Sequence, residues 1–315
     1  MFAALAVAIV MIVSFVFALA QFSVERPETS SVDADASGSD FSDSNDESDA
    51  FSEDTSNGSG DNSAEYEYYS NLQFEDYPYS DAAVKNGSLA IVKPESGYPV
   101  IDQSKILNIY AKRQNKDYGL SNTSLVLYED ALLNIDKFIA GFYQQVPSNG
   151  LIIDKGYTVS DAIVSTEPTV DLTTGYSVKF AINGSSYKFS DTEFGYLRDQ
   201  AYRYGVIQRY PEGKSAYTGH DVDNTVYRYV GLAHSLYMNH YMYSLEEYID
   251  KIKTEKVIEY KSELEANVAY VIYYVPCANE SGTTYVPLPT NEDCSYSVSG
   301  DGSDGFIVTV KMPIA

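Results

Sequence analysis

Tryptophan is absent from the 315 residues, and His220, His234, His240, Cys277 and Cys294 are the whole supply of histidine and cysteine. Multi-histidine metal sites and zinc ribbons are excluded by counting. Cations are scarce too: 21 Lys and Arg stand against 45 Asp and Glu, a net charge of −24. A nucleic-acid partner is excluded, because phosphate recognition needs clustered Lys and Arg. No internal repeat is visible. What the chain does have is 44% apolar residues, 30 tyrosines and enough length for one large or two modest domains with a sizeable core.

From Met1 to Phe22 no side chain is charged, and about 20 apolar residues suit a bilayer-spanning helix. Residues 1–23 are therefore expected to be a transmembrane anchor or signal segment. Ala18-Leu19-Ala20 offers a cleavage point after Ala20, but the charged n-region is missing and the run exceeds a usual h-region, which favours an uncleaved anchor. The expected location is the cell membrane, single-pass, with the folded part extracellular, or secreted if cleavage occurs. Between Val24 and Glu67 there are fourteen acidic residues and one base, Arg26. Residues 24–71 are accordingly predicted to be an acidic disordered linker, too polar to offset the entropy of ordering.

Ordered sequence is expected from near Leu72. Gly87 to Val92 reads as a short strand, and the spacing of Tyr128, Ala131, Leu132, Ile135, Phe138, Ile139 and Phe142 predicts a helix over 125–142. Leu151 to Ile153 and Tyr176 to Ile182 read as strands. Ser190 with Glu193 forms a capping-box pattern opening a helix that Gly205 stops, Val206 to Arg209 is a strand, a third helix follows Gly231, and Ser244 with Glu247 caps a fourth. After Ala266 the period becomes two: 269–276, 283–288, 295–299 and 306–312 are predicted strands of a small C-terminal β module, residues 266–315. In an exported chain, Cys277 and Cys294 are expected to form a disulfide closing an 18-residue loop.

Tyr204-Gly205-Val206-Ile207-Gln208-Arg209-Tyr210-Pro211-Glu212-Gly213-Lys214, Thr218-Gly219, Tyr227-Arg228-Tyr229-Val230-Gly231 and Leu245-Glu246-Glu247-Tyr248 follow in order. This series resembles the VanY-like D-alanyl-D-alanine carboxypeptidases, zinc peptidases of the lysostaphin, DD-carboxypeptidase and hedgehog type. The resemblance runs over roughly residues 85 to 253. It implies an α+β fold, a mixed and mainly antiparallel sheet backed by helices, in a domain spanning 72–265. It also implies a zinc held by His and Asp of a Ser-x-His-x-x-Gly-x-Ala-x-Asp segment and by a second His of a Glu-x-x-His segment, whose Glu is the base. Such a metal polarises the carbonyl and acidifies its water while the carboxylate takes a proton.

Aligned on Thr174-Gly175, this chain has Val170 at the Ser, Leu172 at the first His and Lys179 at the Asp. Aligned on Tyr227-Arg228-Tyr229, it has Val226 at the second His and Asp223 at the catalytic Glu. Two alkyl groups and an ammonium do not bind zinc. The turn in which the family carries a carboxylate-binding Arg reads Gly156-Tyr157-Thr158-Val159. Five departures between retained anchors point to a scaffold without its chemistry, so no cofactor is expected, and zinc only if ligands have relocated.

His220, Asp221 and Asp171 are the candidates for such a relocated metal site, and their alternative role is turn formation. Asp223 keeps the base position, a methylene shorter than Glu. Tyr157, Thr174, Tyr176, Arg209 and Tyr227 are cleft candidates, although core packing explains the tyrosines equally, and Arg209 and Arg228 are expected to pair with buried acids or carbonyls. His234 is expected to be a packed helix residue and His240 to be on the surface. Three functions follow: a pseudopeptidase binding a peptidoglycan peptide or a surface protein, an active D-Ala-D-Ala carboxypeptidase with relocated ligands, or a structural or adhesive surface protein. The first is favoured.

Overall fold

A computed structural model describes residues 66–93, 97–147, 150–158, 170–185, 187–190, 192–278 and 282–314, and these described residues pack as one unit. In chain order its strands are β1 (Phe74–Ser80), β2 (Ile106–Asn108), β3 (Gly119–Leu120), β4 (Leu125–Tyr128), β5 (Leu151–Lys155), β6 (Tyr157–Thr158), β7 (Ser177–Ile182), β8 (Val206–Tyr210), β9 (Asp223–Tyr229), β10 (Val257–Lys261), β11 (Val268–Pro276), β12 (Thr283–Pro289), β13 (Ser295–Gly300) and β14 (Gly305–Pro313). The main helices are α1 (Glu129–Gln145), α2 (Gly195–Gln200), α3 (Leu232–Tyr241) and α4 (Leu245–Glu255). The fold is α+β with mainly antiparallel sheets, as the sequence implies.

The first core lies between α1 and a sheet of order β3-β5-β7-β9-β8, antiparallel except for β3 on β5. Ala131, Leu132, Ile135, Phe138, Ile139 and Phe142 recur at helical spacing and bury one face of α1 against Val178, Phe180, Val206 and Tyr227. The helix starts at Glu129, four residues later than its periodicity suggests. Leu125-Val126-Leu127-Tyr128 pairs as a buried strand with β2 and β6. A short apolar run fits either period, and Glu129 and Asp130 place the helix start where acids meet the positive end of the dipole.

Two other elements differ from expectation. Residues 87–92 form no strand, because the carbonyls of Gly87, Ser88 and Ala90 accept from the Arg228 guanidinium instead of a neighbouring strand. The segment from Ser190 to Gly205 is a broken helix: α2 begins after Phe194 without a capping side chain and gives way to a tighter turn over Ala201–Tyr204. Gly195, the poorest helix former after proline, stands at the start of α2. Gly205 ends the segment at φ 72°, as its position implies. The Ser244–Glu247 capping box is fully formed, with Ser244 N–H donating to Glu247 at 2.7 Å and Glu247 N–H to Ser244 Oγ at 3.3 Å.

The C-terminal strands make an antiparallel sheet of order β10-β11-β14-β13, while β12 pairs with β1. Period-two alternation in β11 and β14 serves two cores. Tyr270, Ile272, Tyr274 and Ile307 face α3 and α4, whereas Val271, Tyr273, Phe306, Val308 and Val310 face Tyr68, Leu72, Val84 and Val286.

The expected disulfide is not formed: Cys277 and Cys294 are free thiols. The register gives the reason. Cys277 follows Pro276, which pairs with Gly305, whereas Cys294 precedes Ser295, which pairs with Lys311. The thiols thus sit at opposite ends of β14, roughly 26 Å apart at the strand rise, when a disulfide needs Cα atoms within about 7 Å. The expectation of a single-pass membrane protein with an extracellular folded part, joined to the membrane by its N-terminal segment, is also corrected. Among the described residues no helix is long and apolar enough to cross a membrane. Residues 1–23 and almost all of the 24–71 linker lie outside the described residues, as does the Ala20 cleavage point.

Candidate functional site

The turn Val170–Thr174 leads into β7, and β9 lies beside β7 with Lys179 opposite Val226, Val178 opposite Tyr227 and Ser177 opposite Arg228. This register brings together positions that lie far apart in sequence. Leu172 and Val226 are buried. The Lys179 ammonium lies 2.6 Å from Asp223 Oδ2 across the sheet. The other Asp223 oxygen accepts from Thr225 N–H at 2.9 Å and from the Thr225 hydroxyl at 2.5 Å. Burial pushes the Asp223 carboxyl up, but hydrogen bonds from Lys179 and Thr225 outweigh it and hold the group below its ordinary range. Both oxygens are engaged, so Asp223 is a stabilised anion and a weak proton acceptor.

Zinc does not fit this set, since Leu172 and Val226 present hydrocarbon and Lys179 presents a cation with no lone pair. Among the described residues no three His, Cys, Asp or Glu side chains gather as a metal-holding group.

Asp171, a candidate relocated ligand, is buried and committed elsewhere. Its Oδ1 accepts from Arg209 Nε at 2.8 Å and Arg228 Nη1 at 2.7 Å, and its Oδ2 accepts from the Ser177 hydroxyl. Arg209 also reaches Glu246 at 2.5 and 3.1 Å, and Arg228 donates to the carbonyls of Ser88 and Ala90 at 2.9 Å. Burial raises the Asp171 carboxyl, yet the Arg228 and Arg209 charges and the Ser177 hydrogen bond prevail and hold it at about 2. The two acids and two arginines balance in charge and tie the turn at 170–174 to β8, β9, α4 and the 87–90 segment.

His220 is half-buried with its ring 4.7 Å from that of Tyr210, and Asp221 is exposed. The cleft candidates do not share one surface. Tyr227 is buried against Phe138 and Phe180. Thr174 is buried, its hydroxyl donating to Asp171 O at 2.8 Å, and Arg209 lies in the ion-pair network. Tyr157 is half-buried on β6, and Tyr176 stacks on Tyr128 with centroids 4.4 Å apart. Val159, at the end of the turn Gly156–Val159 named from the resemblance, lies outside the described residues. His234 is a packed helix residue, its Nδ1 2.7 Å from Tyr248 Oη and its Nε2 2.8 Å from Thr309 Oγ1. His240 is exposed beside Glu263.

Sequence reasoning did not foresee the Lys179–Asp223 pair, nor a cavity of about 540 Å³ bordered by Tyr128, Tyr176, Tyr229 and β13. The first had a signal in the sequence, since the resemblance aligned both residues with expected site positions. The second depends on β13, which lies outside the segment of family resemblance.

No protein-family model matches the chain. It is 29% identical over 245 residues to a D-alanyl-D-alanine carboxypeptidase of Enterococcus faecium, covering 73% of this chain and 77% of that protein. A D-alanyl-D-alanine carboxypeptidase of Enterococcus faecalis is 34% identical over 107 residues, covering 32% of this chain and 39% of that one. The fold is similar to that of the vancomycin-resistance D,D-dipeptidase VanXYg, solved in complex with a D-Ala-D-Ala phosphinate analog, with a TM-score of 0.58 and 21% identity over 76% of this chain and 99% of that one. By sequence the chain is similar to D-alanyl-D-alanine carboxypeptidases, and its fold is similar to that of the D,D-dipeptidase VanXYg.

Proposed function

We propose that this protein is a catalytically inactive VanY-like pseudopeptidase that recognises a peptidoglycan peptide or a protein partner without hydrolysing it. The observation that carries the reading is the Lys179–Asp223 ion pair. It puts a cation at one family zinc-ligand position, where it neutralises the residue at the base position. Leu172 and Val226 occupy the remaining ligand positions, and neither can bind a metal. Hydrolysis of the terminal peptide bond requires an activated water and a free base, and this arrangement supplies neither. The scaffold around the site is retained through the Asp171–Arg209–Arg228 network, which supports a binding role for the fold.

The test is D-alanine release from a pentapeptide ending in D-Ala-D-Ala, with added zinc and an EDTA control, beside calorimetric titration of the same peptide. No release above a heat-killed blank, together with saturable heat, is the expected result. Release that EDTA abolishes overturns inactivity and directs attention to His220 and Asp221 as relocated ligands.

A further inference from the structure

The sheet β10-β11-β14-β13 ends at β13, and part of that edge faces the 540 Å³ cavity. Five consecutive residues, Ser295 to Ser299, line it. A sheet face cannot supply five in a row, because alternate side chains point away. The cavity therefore takes in the backbone edge as well as the sheet face that carries Tyr270, Thr309 and Lys311. Parity identifies its free groups: Asp301 N–H bonds back to Gly305 of the β13–β14 hairpin, so Gly300, Val298 and Tyr296 turn their N–H and C=O groups outward.

The chain already fills the rungs at one end of this edge. Gly300 N–H donates to Asn86 O at 2.8 Å, and Gly302 N–H to Val84 O at 2.7 Å. The next two outward rungs, at Val298 and Tyr296, have no backbone partner among the described residues. Across the cavity stand the rings of Tyr128, Tyr176 and Tyr229, each half-buried. Neither Lys179 nor Asp223 lines it.

We infer that the free edge of β13 is a docking site for an extended peptide segment of a partner protein, added in line with residues 84–86 as a further strand. Ser295–Ser299 spans about 15 Å, room for roughly four or five extended residues. Main-chain bonds to Tyr296 and Val298 hold the segment, and alternate apolar or aromatic side chains pack on the tyrosines. This goes beyond the proposal for the Lys179–Asp223 site and does not depend on it.

The test uses a phage-displayed library of random L-heptapeptides selected on the full protein, followed by fluorescence polarisation of the enriched peptides on wild type and on Tyr296→Pro. Proline at 296 removes an outward N–H and leaves the inward ladder to β14 intact, so the melting temperature should hold. The expected result is binding weakened about tenfold or more by that substitution. If the variant melts early, N-methylation of the peptide supplies the readout: methyl groups on alternate residues facing β13 abolish binding, and the same groups shifted by one residue leave it intact. An excess of the D-Ala-D-Ala pentapeptide should not displace the heptapeptide. Failure to enrich any peptide, equal tolerance of both methylation patterns, or displacement by the pentapeptide overturns the inference.

Discussion

The ammonium of Lys179 and the carboxylate of Asp223 meet at 2.6 Å across β7 and β9. On the function proposed above, a permanent side-chain cation takes the place of a metal ligand there. Micromolar zinc should leave the wild-type melting temperature unchanged. The variant Leu172→His, Lys179→Asp, Val226→His, Asp223→Glu should be stabilised by zinc, by about 3 kcal/mol at a hundredfold excess over its dissociation constant. Scanning calorimetry with and without zinc distinguishes the cases, and stabilisation of the wild type contradicts the reading of this site.

The buried cluster around Asp171 is expected to be far more costly to disturb. Asp171→Asn leaves Arg209 and Arg228 without the carboxylate they share and should destabilise the protein by about 3–5 kcal/mol in urea unfolding. Lys179→Met breaks a partly solvated pair and should cost about 1 kcal/mol or less. Similar losses for the two substitutions contradict this ranking.

Acid dependence follows from the same carboxylate. Asp171 titrates at about 2 in the fold against an ordinary 3.8, so the unfolded chain binds the proton first as pH falls. Its contribution is full above pH 4 and is lost between about 4 and 2. Unfolding midpoints across that window should fall steeply in the wild type and less in Asp171→Asn.

His234 acts at higher pH. Burial lowers its imidazole to about 3 from 6.5, so the folded state keeps it neutral while the unfolded chain becomes protonated. Stability rises with pH wherever the unfolded state binds more protons, and this component should therefore decline as pH falls from about 6.5 toward 3. His234→Gln should remove that slope between pH 6.5 and 4.5, whatever its effect on absolute stability. An unchanged slope means that the ring is charged in the fold.

The free thiols give a chemical check on strand register. Thiol titration of the denatured protein without reductant should count two thiols per chain, and reductant should leave the melting temperature unchanged. A protected pair contradicts the placement of Cys277 and Cys294 at opposite ends of β14.

Much of the fold was legible along the chain because its determinants are local. The spacing of Ala131 to Phe142 marked the buried face of α1, Ser244 and Glu247 marked a helix start, and Gly205 marked a helix end. The period-two strands after Ala266 were legible for the same reason. Where two periods fit equally, as at Leu125 to Tyr128, strand pairing decided. The candidate site was legible only as a set of substitutions at aligned positions.

By itself, the sequence determined most of the element types, the α+β class and the lack of metal-ligand side chains at residues 172, 179 and 226, because side-chain identity and short-range periodicity are properties of the chain. The tertiary structure decided which charges meet. Lys179 reaches Asp223 over 44 positions, Asp171 reaches Arg228 over 57, and Cys277 misses Cys294 over 17. Strand register sets these distances, and register comes from burying one face of a sheet against partners that local sequence does not name. The same holds for the edge of β13, where Gly300 and the following Gly302 bond to residues 84–86 while the rungs at 296 and 298 have no backbone partner among the described residues.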